Sequence, residues 1–465
     1  VTDAPVFASV RDLAARVRTR ALSPVALAEA FLERLETRGG RYNAVVTVTR
    51  ERALEQARRA EREIAAGAHR GPLHGIPYGA KDLLATSGGI PTTWGAAPFR
   101  EQRFEFDATV VEKLETAGAV LAAKLAMVEL AGGMGYRQPV ASFTGPGISP
   151  WGPDAWSGGS SSGSGSAVAA GLVPFAIGSE TWGSILSPAT YCGITGLRPT
   201  YGRVSRHGAM ALCWTLDKLG PLALTADDCG LVLEAIAGYD PRDAGSADRA
   251  FRYESAGRGH RFRFGVLRGV ADAAEPPVRE NFLRSLEVLE KIGSIETVDV
   301  ADLPYEAMTR TILAAEASAA FQEFIESGGI AGLTAPEDRH TAYARDAILA
   351  KDYIRALRLR GIVARDVDAV LSRLDALVAP SRGTLGPRID EEFRSPLRAA
   401  VPDVMGAIGN VAGLPAISVP NGFGEDRRPT GLQFMARAWE ENAILAAARQ
   451  YQSLTDWHLQ RPPEV

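Results

Sequence analysis

One stretch of this chain carries an unusual density of hydroxyls. Residues 157–171 read SGGSSSGSGSAVAAG and continue into LVPFAIGSETWGS, which adds Ser179 and Ser184. A serine hydroxyl is a weak nucleophile until a neighbouring base takes its proton. Three readings of the tract compete. Its composition is that of a flexible tether. A phosphate-cradling loop would need GxxxxGK[ST] after a strand, but no lysine follows these glycines and the preceding GPDAW is not strand-like. A nucleophile elbow would need GxSxG between strand and helix. Gly159 to Gly163 matches that pattern, with Ser161 at its centre, but without the strand. The six histidines, His69, His74, His207, His260, His340 and His458, sit in no motif-like setting, which speaks against a Ser-His-Asp triad.

The elements that must position these serines alternate. Residues 8–70 read as three helices, with Ser23-Pro24 as a start signal for the second. GPLHGIPYGAKDLLAT, from 71, changes texture to a short apolar strand bounded by Pro and Gly. DATVVEKLETAGAVLAAKLAM then reads helix, glycine stop, strand, which argues an α/β fold. Between 172 and 235 short strands are expected in LVPFAIG, GITGLRPT, GRVSR and KLGPLAL, followed by a capped helix in TADDCGLVLEAIAG. Residues 240–262 read as a charged, exposed loop. Beyond 263, strands are expected at RFGVLRG, DALVAP, LPAISVP and TGLQFMAR. Helices are expected near 276–292, 304–327 and 338–376, with a closing helix from 441. There is no internal repeat.

Composition excludes several classes. The chain has 465 residues, 46% hydrophobic and 23% charged, with a net charge of −4. That is an ordinary globular balance and gives no electrostatic case for binding nucleic acid or an anionic membrane. The basic runs RALRLR (355–360) and GRGHRFRF (257–264) read as solvated surface. Cys192, Cys213 and Cys229 are odd in number and far apart, so a reducing compartment with buried thiols is expected rather than disulfides or a zinc site. The first residues lack a secretory apolar core, and no apolar run approaches the roughly 20 residues needed to span a bilayer. A cytoplasmic protein is expected.

Taken together, GIPYGAKDLLAT, the 158–206 block and the C-terminal LPAISVPNGF…GLQFMAR resemble the amidase signature family of serine hydrolases, in motif order and spacing, over nearly the whole chain. The resemblance implies one large α/β domain over 1–465, with a central mixed β-sheet covered by helices on both faces. Within it lie an N-terminal helical segment (1–70), the signature core (71–235) and a variable substrate-lining section (263–410). It implies Lys81 as base, Ser160 as proton relay after a cis Gly159–Ser160 bond, and Ser184 as nucleophile. Lysine normally titrates near 10.4, so burial must depress it before it can accept a proton near neutrality. Asp82 need not neutralise it, because neighbours on a strand point to opposite faces. Backbone N–H groups of Thr181, Trp182, Gly183 and Ser184 are expected to form the oxyanion hole. Trp182, Gly133 and Met134 are expected at the substrate, with no metal and no cofactor.

Two residues depart from the family pattern. Trp182 stands where the family has glycine, and Leu186 where it has arginine. Trp182 is open to two placements, walling the pocket or packing outward. Aromatics in 142–156 and 95–106 favour an apolar or aryl substrate. The main expectation is therefore hydrolysis of an amide or carbamate (urethane), with urethanase, aryl acylamidase or esterase side activity. The expected partner is a small-molecule substrate, without nucleic acid or membrane, in a monomer or homodimer. The alternative is the amidotransferase subunit of a tRNA-dependent glutamine amidotransferase complex. An inactive binding module is a third reading, disfavoured by the intact Lys81, Ser160 and Ser184.

Overall fold

A computed structural model of the chain describes residues 5–135, 137–255, 261–345, 347–393, 401–463 and 465. Eleven strands form one sheet. In chain order they are β1 (Val45–Val48), β2 (Pro77–Lys81), β3 (Val120–Leu125), β4 (Phe175–Glu180), β5 (Thr195–Arg198), β6 (Lys218–Ala223), β7 (Phe262–Leu267), β8 (Gly293–Val298), β9 (Ala376–Pro380), β10 (Ala416–Phe423) and β11 (Pro429–Met435). Their spatial order is β1-β3-β2-β4-β6-β5-β10-β11-β9-β7-β8. Parallel pairs β3/β2/β4 and β9/β7/β8 flank an antiparallel centre. The sheet is mixed, and helices cover it within one domain.

The central strands β2, β3, β4, β5, β6 and β9 are buried at every residue. That is why their sequences are near-continuous apolar runs rather than alternating ones. The outer β8 is mixed, with Gly293 and Val298 buried and Ser294, Glu296 and Thr297 exposed.

The tract at 157–171 is no tether. Its helix, Ser162–Ala169, is buried throughout. Small side chains let it lie close to its neighbours, and its hydroxyls are absorbed by carbonyls: Ser166 Oγ donates to Ile148 O at 2.7 Å and Ser164 Oγ to Ile177 O at 3.3 Å. Gly158 shows the constraint. Its φ is 83°, and a Cβ there would stand 2.9 Å from the Ser187 and Pro188 backbone. Only glycine meets both demands cheaply.

Several expectations change. GRVSR forms no strand; only an isolated bridge joins Val204 to Ala237. The expected 338–376 helix is two helices, Asp338–Arg345 and Ala350–Leu371. The 240–262 segment is not uniformly exposed: Asp240 and Asp243 are buried, since each is held by an arginine, Arg242 and Arg206. Residues 257–260 of the basic run and residues 394–400 of the variable section lie outside the described residues. No described helix is long and apolar enough to cross a membrane.

Candidate active site

Lys81 ends β2 and is fully buried. Its Nζ lies 2.7 Å from Ser160 Oγ, 3.0 Å from Ser161 Oγ and 2.9 Å from Ser179 Oγ. Burial drives the lysine pKa well below 10.5, and the fields of Asp217 and Glu180 oppose it only in part. Asp82 faces the other way. It accepts from Thr93 and sits 3.1 Å from Lys124, itself fully buried. Among the described residues, Lys81 therefore has no contacting counter-ion.

Ser160 and Ser184 come from segments on either side of β4. The Gly159–Ser160 bond is cis. Ser161 N–H donates to Ser184 O at 3.3 Å, which ties the two segments together. Ser161 Oγ also donates to Ser179 O at 3.2 Å. Ser161 and Ser179, neither expected in the Lys81–Ser160–Ser184 set, both touch the lysine, and Ser161 Oγ also accepts from Ser179 N–H. The alternation of β4 offered a signal for Ser179, which shares the Ile177 face.

The loop from Thr181 to Ile185 is the other half of the site. Every buried backbone donor must find an acceptor, and the partners here divide sharply. The N–H groups of Ile185 and Leu186 donate to Glu180 Oε2, at 2.9 and 3.0 Å. Among the described residues, the N–H groups of Thr181, Trp182, Gly183 and Ser184 donate to nothing in the protein. Four adjacent uncommitted donors, the last of them the serine's own, are the arrangement that binds a developing oxyanion. The left-handed position of this loop is Gly183, at φ 84°, while Trp182 keeps a negative φ. That is why a tryptophan is tolerated at 182.

Side chains brace the loop from three directions. Thr181 Oγ1 donates to Asp217 Oδ1 at 2.5 Å, and Asp217 is held by the N–H groups of Leu212 and Cys213. Trp182 Nε1 donates to Asp403 Oδ2 at 2.9 Å. Glu180 is paired with the buried Arg198 at 2.7 Å and also accepts from Asn410. Burial pushes Glu180 upward, but Arg198 and Lys218 more than offset it and leave its pKa at about 2. The cation paired with this carboxylate is Arg198 of β5, and Leu186 is buried at the start of the helix Leu186–Tyr191.

Trp182 is half-buried. Its ring packs against the main core, with the Arg310 guanidinium 5.6 Å from its centroid. Arg382 Nη1 pairs with Asp403 at 2.9 Å and stands 3.1 Å from where a Gly183 Cβ would be. The surroundings of the loop are thus charged. Gly133 and Met134 are buried, Gly133 hard against Leu212 and Phe321 and Met134 in the main core. Of the aromatics that pointed to an apolar pocket, Phe99 packs on Trp94 and Phe324 and Trp156 on Phe393, while Phe106 is exposed. A cavity of about 520 Å³ reaches the lysine side of the site at Ser179 and Thr181 and does not touch Ser184. Arg206, Asp217, Arg242 and Asp243 line it, from segments that sequence reasoning left out.

The fold and this site define a class. A family profile described as Amidase matches residues 26–445, and the chain belongs to that family, whose enzymes act on C–N bonds. The glutamyl-tRNA(Gln) amidotransferase A-subunit of Azoarcus sp. is 37% identical over 98% of this chain and all of its own length. The native peptide amidase of Stenotrophomonas maltophilia superposes with a TM-score of 0.84 at 31% identity, covering 98% of both chains. A chain from a vestigial protein complex connected with the origins of an s-triazine catabolic enzyme reaches 0.89 at 31% identity, covering 96% of this chain and 98% of its own. The likeness to a component of a tRNA-linked complex overturns the expectation of a stand-alone enzyme of small molecules without nucleic acid. Net charge misled here, because a component of a complex can serve an RNA-dependent reaction without carrying a basic surface itself.

Proposed function

We propose that the chain hydrolyses a primary carboxamide through Ser184, and that it does so as the ammonia-releasing component of a tRNA-dependent glutamine amidotransferase. The observation that carries the chemistry is the contact of the buried Lys81 with Ser160, beside a loop with four uncommitted N–H groups. The near full-length likeness to the Azoarcus amidotransferase supports the substrate and the complex. The charged neighbours Arg382 and Asp403 suit a polar amide better than an aryl carbamate.

The steps follow from donor counting. A neutral amine has two N–H donors and one lone pair, yet Lys81 Nζ touches three hydroxyls. One hydroxyl must therefore donate to nitrogen. Ser161 Oγ is committed to Ser179 O, and Ser160 is the nearest of the three. Ser160 donates its proton to Lys81 and can then accept one from Ser184. Ser184 Oγ bonds to the amide carbon, and the carbonyl oxygen becomes an oxyanion held by the loop's uncommitted N–H groups. The C–N bond breaks as the proton returns along Ser160 to the leaving nitrogen, and ammonia departs. Water, deprotonated by the same relay, releases the acyl group as a carboxylic acid.

The purified chain should release ammonia from L-glutamine, faster when the partner proteins of a glutamyl-tRNA(Gln) amidotransferase and glutamyl-tRNA(Gln) are added. Ser184→Ala should abolish this release. Turnover of anilides or aryl carbamates with no response to glutamine, alone or with partners, would overturn the reading in favour of a urethanase.

A further inference from the structure

We infer that the Trp182–Asp403 hydrogen bond is a strut that sets the position of the oxyanion-binding loop in this chain; the inference rests on the reading of that loop given above.

The loop must hold its uncommitted backbone donors in place without using their N–H groups. Its outer residues are fixed by Glu180 and by Asp217. Between them the side-chain hydrogen bond is that of the Trp182 indole N–H on Asp403 Oδ2 at 2.9 Å. Asp403 is not an incidental acceptor. The same Oδ2 receives Arg382 Nη1 at 2.9 Å, Oδ1 receives Gly406 N–H at 3.1 Å, and the Asp403 N–H donates to Glu306 Oε1 at 2.6 Å. The carboxylate is therefore locked to the start of the helix Val404–Val411, and the Asp403 backbone to the helix that carries Glu306, Tyr305–Ala320. Arg310, one turn along that helix, stands over the indole.

A glycine at 182 could make none of these contacts. The tryptophan instead bridges 221 residues of sequence and makes the geometry of the loop depend on segments outside the sheet. Trp182 and Asp403 are positioning residues: neither needs to touch the reacting atoms.

The test is inactivation of the full chain by a fluorophosphonate. Its reaction needs the Ser184 oxygen and the oxyanion donors but no partner protein. Trp182→Phe keeps the ring and removes the N–H. It should lower the maximal inactivation rate about tenfold and leave the reagent's half-saturation concentration within about twofold. Asp403→Leu, which leaves the indole N–H without its acceptor, should do the same, and the double variant should be no slower than the slower single one, because both remove one coupling. Thermal unfolding of Trp182→Phe separates a positioning effect, with Tm held, from general loosening. A Trp182→Phe enzyme inactivated at the wild-type rate, or multiplicative losses in the double variant, would overturn the strut. A Ser184→Ala chain that still reacts would overturn the site reading and the strut with it. Loss of rate in Trp182→Phe accompanied by an equal loss of Tm would also count against it.

Discussion

Lys81 is the residue on which the chemistry turns, and its environment sets a direction for pH. Burial lowers its pKa well below 10.5, so the unfolded chain binds a proton there that the folded chain gives up. Stability therefore rises with pH as this group titrates. The destabilisation it causes is fully present below the folded-state pKa and vanishes only above the unfolded one. Activity follows the same sign, since only the neutral amine accepts a proton. The rate of Ser184 acylation should rise with pH as Lys81 loses its proton, and should level off below the pH at which an ordinary lysine titrates; a rate that falls as pH is raised through this titration would contradict a lysine base. Lys81→Met should lower acylation by about 10²–10⁴-fold without lowering Tm, because a buried, unpaired amine is replaced by an apolar chain of similar length. Differential scanning calorimetry alongside the labelling assay checks both halves. Ser161 and Ser179 also touch Nζ. Of these three hydroxyl contacts only Ser160 was legible from motif spacing, because contact across a sheet leaves no trace in local sequence.

At the scale of elements, the β4–loop–helix unit is held by carboxylates. Glu180 caps the N–H groups of Ile185 and Leu186 while paired with Arg198 on β5. Both side chains are fully buried, so removing one partner strands the other charge. Arg198→Leu should cost about 3–5 kcal/mol, measured by urea denaturation; a loss below about 1 kcal/mol would show that Lys218 and Asn410 suffice. Glu180 has the opposite sign to Lys81. Its folded pKa of about 2 lies below the ordinary 4.5, so its contribution is complete above about pH 4.5 and is lost as pH falls towards 2. The strands themselves were legible where burial on both faces makes continuous apolar runs, as in β4, β6 and β9. They were missed at the edges, where β1 is half-buried and β8 mixed. The left-handed pair Leu130 and Ala131 and the bracing of the loop by Asp217 and Asp403 had no local signature.

At the scale of the molecule, one sheet carries the site near its centre, and the chain's relatives include both stand-alone amidases and a component of a larger complex. The sequence pointed to the α/β fold and to the amidase family, because motif order survives substitution of the surrounding loops. It misjudged the partner, because a net charge of −4 carries no information about partner subunits. The central claim is that this chain opens an amide through Ser184 with Lys81 as base. The most direct measurement is mass spectrometry of the full chain, acid-quenched during turnover of L-glutamine and digested. A glutamyl ester on the peptide bearing Ser184, absent in both Ser184→Ala and Lys81→Met, is the predicted result. Ammonia release with the adduct on Ser161 or Ser179, or with no adduct and undiminished turnover in Ser184→Ala, would contradict it.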